Sequence, residues 1–251
     1  MKKKHLFTCF VMVVLLVISG INIYSKTEKE VPKSTPRISK YLYKNVDSVS
    51  GFSFANEALP VDNVPANRKL QNILARHNFK YVGSNLLHIK AEKIFPVIEP
   101  ILAAYGIPDD FKYVPLVEAG FNEGLSPKGA KGLWQFLPQT ARVYGLKVGK
   151  GVDERTDLKK ATVAACKYIK ELHTQFNSWT LAAAAYNNGE IKLSKAIYAQ
   201  SEDNYFRMHL NQETGLYVYD LIAVKAIISY PKRYGYRSYV KLAPADLMAF
   251  N

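Results

Sequence analysis

A single glutamate, Glu118, stands among apolar neighbours in the stretch LVEAGFNEGLSPKGAKGLWQFLPQTA, residues 116–141. Leu116, Val117, Ala119 and Phe121 flank it in the chain. A carboxyl group in apolar surroundings, near the C-terminal end of a helix and so near its negative pole, is disfavoured as an anion. Such a group is a candidate proton donor near neutral pH, which is the work of a general acid. A glutamate on the exposed side of an amphipathic helix is the competing reading, and Glu118 alone does not separate the two.

The residues that follow shift the balance. Gly124, Gly129 and Gly132 suit positive φ or a close backbone approach, so this loop is expected to lie against a ligand. Trp134, Gln135 and Phe136 then offer an aromatic face and an amide, the equipment for gripping a sugar ring and its N-acetyl group. A Trp134 buried in the core is the plainer alternative. Further on, Tyr186 and Asn187 bring a hydroxyl and an amide to the end of an apolar helix, where Asn187 could equally be a C-cap.

Other chemistries find less support. His5, His77, His88, His173 and His209 are scattered and show no His-Glu-x-x-His spacing, so no zinc hydrolase is expected. There is no Gly-x-Ser-x-Gly elbow. GLKVGKGV lacks the spacing of a phosphate loop and reads as a glycine-rich surface turn. Cys9 falls in an N-terminal apolar run, which leaves Cys166 in ATVAACKYIKEL, where a buried inert thiol is expected. The chemistry requires no metal or organic cofactor.

The elements that must position these residues are read from periodicity. HIKAEKIFPVIEPILAAYG carries Ile94, Val97, Ile98, Ile101 and Leu102 at helical spacing and stops at Gly106. IPDDFKYVPLVEAG restarts a helix at Pro108, which Pro115 should bend and Gly120 should end just after Glu118. Pro138 opens a short helix that Gly145 closes, and Asp157 caps a long one from Leu158 to Phe176. SWTLAAAAYNNG is apolar all round and so buried, and a last helix runs through ETGLYVYDLIAVKAIISY to Pro231. Strand alternation is scarce. The predicted class is mainly α.

The chain has 251 residues, enough for one sizeable domain and a short extra segment. A hydrophobic content of 48% excludes a disordered chain. The formal charge of +13, three units of it from Lys2, Lys3 and Lys4, favours an anionic partner. No nucleic-acid motif accompanies it, so no nucleic acid is expected. Residues 1–25 read as a signal peptide or N-terminal membrane anchor, with the apolar run at residues 6–24. Residues 26–50 read as a flexible tether, residues 51–240 as the folded catalytic domain and residues 241–251 as a tail.

Glu118, SPKGAKGLWQFLPQTA, AAAAYNNG and ETGLYV, in that order, resemble the motifs of the lytic transglycosylase (SLT) domain, a family related to goose-type lysozyme and its glycoside hydrolases. YGL…DERTDLKKAT is similar to a segment of its membrane-bound D type. The resemblance covers roughly Phe52 to Tyr234. It implies a lysozyme-like helical domain with an irregular glycine-rich substrate loop. It also implies cleavage of the MurNAc–GlcNAc β-1,4 bond of peptidoglycan glycan strands, for cell-wall remodelling. The location implied is the periplasm or cell envelope, with membrane association through the N-terminal segment.

By this resemblance Glu118 is the catalytic acid and then base. Ser126, Gln135, Tyr186, Asn187 and Tyr217 hold the muramoyl sugar or orient the glutamate, with Trp134 and Phe136 counted beside them as substrate-binding. Glu213, Glu154 and Arg155 are implied to support the fold. The chain departs from the family pattern at Ala119, where serine is usual, and at Asn188, where Tyr-Asn-Ala-Gly is usual.

Common glycosidases need two carboxylates across the scissile bond. Only Glu118 is well placed in the sequence, because Glu123 lies in the loop and Asp153, Glu154 and Asp157 lie in a cap-rich turn. One carboxylate suffices if the sugar's own C6 hydroxyl attacks C1, giving a 1,6-anhydroMurNAc end without water. The alternatives are a hydrolytic muramidase on the same fold and a non-catalytic peptidoglycan-binding protein.

Overall fold

Helix signals in the chain become helices wherever an apolar stripe finds a partner. The computed structural model describes residues 51–119 and 126–236. The expected export segment, tether and C-terminal tail lie outside the described residues, as do Gly120, Phe121, Glu123 and Gly124. Among the described residues no helix is long and apolar enough to cross a membrane.

The described chain opens with a hairpin, β1 (Ser53–Phe54) paired antiparallel with β2 (Glu57–Ala58). Helix α1 (Val64–Arg76) follows, with Asn63 Oδ1 accepting from the Ala66 amide, and buries Ala66, Leu70, Ile73 and Leu74. A short α2 (Phe79–Val82) leads to α3 (Leu86–Tyr105), which buries Ile94, Ile98 and Leu102 and ends at Gly106 with φ 68°. Pro96 and Pro100 sit on its exposed side, where water can reach the carbonyls they leave without a helical partner.

The segment before Glu118 differs from the expectation of one bent helix. Residues Asp109–Tyr113 form a 3-10 turn, and α4 (Val114–Ala119) begins afresh with Pro115 as its second residue. The missing Pro115 N–H therefore falls in the first turn, where no helical acceptor exists, and the proline starts the helix instead of bending it. Glu118 is the penultimate residue of α4.

After the loop come α5 (Pro138–Val143) and a second hairpin, β3 (Val148–Gly149) with β4 (Val152–Asp153). The glycine-rich GLKVGKGV is this hairpin. Lys150 and Gly151 at its tip both have positive φ, the pattern of a two-residue turn matched to strand twist. A 3-10 turn at Glu154–Thr156 leads into α6 (Leu158–Phe176), capped by Asp157 as expected. Then come α7 (Trp179–Asn188), α8 (Glu190–Gln200), α9 (Thr214–Ser229) and a 3-10 turn at Pro231–Tyr234.

The architecture is mainly α, as expected. Helix α7 is its centre, with Leu181 and Ala182 to Ala185 all buried. The alanines let neighbours approach closely, and α7 packs against α6, α8 and α9 while α6 also packs on α3. Cys166 on α6 is buried and its thiol is pushed up to about 12, so it is an inert core side chain.

Candidate active site

Two elements bring the acid and its nearest partner together. Glu118 is the penultimate residue of the six-residue α4, and α9 passes beside it. The Tyr217 hydroxyl on α9 donates to Glu118 Oε1 at 2.6 Å. The glutamate is half-buried and forms part of an open cavity of about 560 Å³. Val117, Asn187, Glu213, Leu216, Tyr217 and Asp220 share that cavity with it.

The environment raises the Glu118 pKa from its ordinary 4.5 to about 7. Burial is the largest cause, and the negative charge of Glu213 adds to it. The Tyr217 hydrogen bond acts the other way, because it stabilises the anion. Burial by tertiary packing is thus the physical source of the proton-donor character expected of this residue. Tyr217 itself is held far above its ordinary pKa by burial and by the carboxyl beside it, so it remains a donor.

Tyr186 lies on α7. Its hydroxyl donates to the Trp134 carbonyl at 2.7 Å, and its ring packs on Trp134, Phe136 and Tyr168. It therefore ties the glycine-rich loop to the central helix.

Trp134 and Phe136 require a correction. Their exposures are 0% and 3%, and the Trp134 indole N–H donates to Thr162 Oγ1 on α6 at 2.9 Å. With both rings enclosed, neither presents a face to a sugar. They are core anchors of the loop, and the buried indole N–H has the partner it needs there.

Gly132 of the loop answers to protein as well. A Cβ on Gly132 would lie 1.9 Å from the Arg155 carbonyl oxygen, and its φ is 78°. This close approach is made to the chain itself, which corrects the expectation of a ligand there. Arg155, buried at 5% exposure, donates to the carbonyls of Gly129 and Phe136 at 2.7 and 3.0 Å and pairs with Asp153. It holds the loop from below. Asp153 is pulled well below the usual carboxylate range by that guanidinium.

Ser126 closes the loop's first turn, its Oγ accepting from the Ala130 amide at 3.0 Å. Gln135 adopts φ 46° and folds its amide back to donate to the Gly132 carbonyl at 2.7 Å. Both shape the loop, and neither is among the residues lining the cavity.

Asn187 does line it, and its amide is fixed from both ends. Its Nδ2 donates to Glu213 Oε1 at 3.2 Å, and its Oδ1 accepts from the Thr214 hydroxyl at 3.0 Å. The unusual Asn188 points elsewhere and accepts from Asn211 Nδ2 at 3.3 Å. Ala119 is buried at 4% exposure, so a serine hydroxyl there would need a partner inside the protein.

The site contains more acid than the sequence disclosed. Glu213 and Asp220 line the same cavity as Glu118, whereas Glu213 was expected only to support the fold. A signal was present. Residues 213, 217 and 220 fall on one face of a helix, so Tyr217 as a site residue brings the other two with it.

A model of the family described as "Transglycosylase SLT domain" matches residues 97–208. Over 137 residues the chain is 36% identical to "Membrane-bound lytic murein transglycosylase D" of Escherichia coli (strain K12), covering 52% of this chain and 30% of that protein. The chain thus spans under a third of that relative's length. Over 93 residues it is 36% identical to a "Putative tributyltin chloride resistance protein" of Alteromonas sp. (strain M-1), covering 36% of this chain and 45% of the other. The matched region holds Glu118, the loop, Tyr186 and Asn187 and carries the helical, lysozyme-like fold. Residues 97–208 are thus similar to a transglycosylase SLT domain, and the stretch shared with the lytic murein transglycosylase supports the same likeness.

Proposed function

We propose that this protein is a peptidoglycan lytic transglycosylase that cleaves the MurNAc–GlcNAc β-1,4 bond and leaves a 1,6-anhydroMurNAc end. The observation that carries this is Glu118, a carboxyl raised to about 7 at an open cavity and hydrogen-bonded by Tyr217. A single group that must give a proton and then take one works best with a pKa near the working pH. Burial supplies the protonated form, and Tyr217 stabilises the anion formed once the proton leaves.

In this reaction Glu118 protonates the glycosidic oxygen as the C1–O bond to the leaving GlcNAc breaks. The carboxylate so formed takes the proton of the MurNAc C6 hydroxyl as O6 bonds to C1. The ring closes, Glu118 is again protonated, and no water is consumed. Asn187, with its amide held by Glu213 and Thr214, has one N–H left to donate to the sugar. The match to the SLT domain model and the words "lytic murein transglycosylase" in a relative's name support the same substrate.

One observation favours a second reading. Glu213 is a second carboxylate on the same cavity, which a hydrolytic muramidase would use to direct water. Digestion of purified sacculi in water labelled with heavy oxygen separates the two. Anhydro products without label are expected, and labelled reducing-end MurNAc would replace the proposal with hydrolysis.

The exported segment at residues 1–25, the tether at 26–50, the body at 51–240 and the tail at 241–251 complete the proposal. They place the enzyme in the cell envelope, and a relative named as membrane-bound supports this. Fractionation of cells expressing the full chain and a form starting at residue 26 tests it. The full chain is expected with the envelope.

A further inference from the structure

We infer that Glu213 is a positioning residue that acts through its charge on Glu118, holding the acid in its protonated form, while its carboxylate also fixes Asn187. This rests on the reading of Glu118 as the acid of the site. Both carboxyls line one open cavity, one at the end of α4 and the other just before α9. Among the described residues Glu213 accepts from the neutral amide of Asn187, and that contact leaves its negative charge uncancelled. Two like charges facing one cavity disfavour each other's ionised form, and burial of Glu118 makes it the one that stays protonated. Glu213 contributes in that direction to the raised pKa of Glu118.

The other described groups around Glu118 do not supply this effect. Tyr217 opposes it by donating to the anion. Tyr186 and Tyr217 are neutral, with pKa values raised by burial. Asp220, also on the cavity, meets His77 Nε2 at 3.4 Å. The charges of the turn before α4 pair among themselves and their neighbours. Lys112 bridges Asp109 and Glu99, and Asp110 takes Lys225.

The experiment is Glu213→Gln, which removes the charge and keeps an oxygen to accept from Asn187. Glu213 is exposed, so the variant is expected to fold. The first readout is the pH titration of the Glu118 carboxyl carbon by NMR in the full chain, which needs no turnover. Its midpoint is expected to move to lower pH, and the shift to shrink at high salt. The second is the rate of muropeptide release against pH. The variant is expected to lose roughly 1.5- to 5-fold at pH 8 relative to pH 5.5, the size of an interaction between partly exposed charges. An unmoved Glu118 midpoint overturns the inference whatever the activity. An inactive parent with a shifted midpoint sinks the catalytic reading and leaves the electrostatic one standing.

Discussion

Glu57 and Glu118 are both half-buried glutamates in one small domain, and the fold puts them to opposite uses. Glu57, on β2, faces the start of α7 and accepts from four donors. These are the Ser178 hydroxyl at 2.8 Å, the Trp179 amide, and the Thr180 amide and hydroxyl at 3.0 and 2.5 Å. Its lone pairs meet the free N–H groups of a helix start, where a carboxylate belongs. Glu118 stands near the opposite end of a short helix, with one hydrogen-bond donor among the described residues, Tyr217, and an open cavity in front of it. A carboxylate surrounded by donors is a structural tie between hairpin and helix. One with a single donor, burial and a like charge nearby keeps its proton available.

The largest effect should come from Glu118→Gln, which retains the shape and removes the proton. Turnover on sacculi is expected to fall at least 10²–10⁴-fold, the range for losing a general acid, with the circular dichroism spectrum unchanged. Activity within a few-fold of the parent would remove Glu118 from the mechanism and dissolve the contrast.

Glu57→Ala tests the other half. It leaves two hydroxyls and two amides at the start of α7 without their acceptor, and about 2–4 kcal/mol of stability is expected to be lost in urea unfolding. A loss under about 0.5 kcal/mol would mean that the helix start is satisfied without Glu57.

A third expectation concerns pH. The raised pKa of Glu118 means that the folded state holds a proton the unfolded chain has released between pH 4.5 and about 7. Stability therefore falls as pH rises through that window. Glu118→Gln should remove this penalty and gain on the order of 1–2 kcal/mol at pH 8, discounted for the part of the carboxyl that water reaches. The gain should vanish at pH 4. Thermal unfolding of the two proteins at the two pH values reads it, and equal gains at both would place the carboxyl in an ordinary solvated setting.

The smallest expected effect is that of Ala119→Ser, which would move Glu118 one step towards the donor-rich state of Glu57. One added hydrogen bond is worth about 0.5–1.5 kcal/mol, or roughly two- to ten-fold in rate. Initial rates of anhydro-muropeptide release should rise by no more than that. A silent parent with a strongly active Ala119→Ser variant would make the natural protein a wall-binding one.

Sequence by itself determined what local rules govern. Gly106 ends α3, Asp157 caps α6, the alanine run makes α7 a buried helix, and Pro231 follows the end of α9. These depend on backbone conformation and apolar period, which neighbours along the chain settle. Glu118 with Tyr186, Asn187 and Tyr217 was legible because their chemistry and order are carried by short motifs. Tertiary structure decided what depends on which side of an element faces inward. The rings of Trp134 and Phe136 could grip a sugar or fill a core, and only the packing of the loop onto α6 and α7 chose the core. Gly132 could face a ligand or the chain, and Arg155 on a distant turn decided it. Glu213 joined the site because α9 lies beside α4, a contact between residues about a hundred positions apart that no local period encodes.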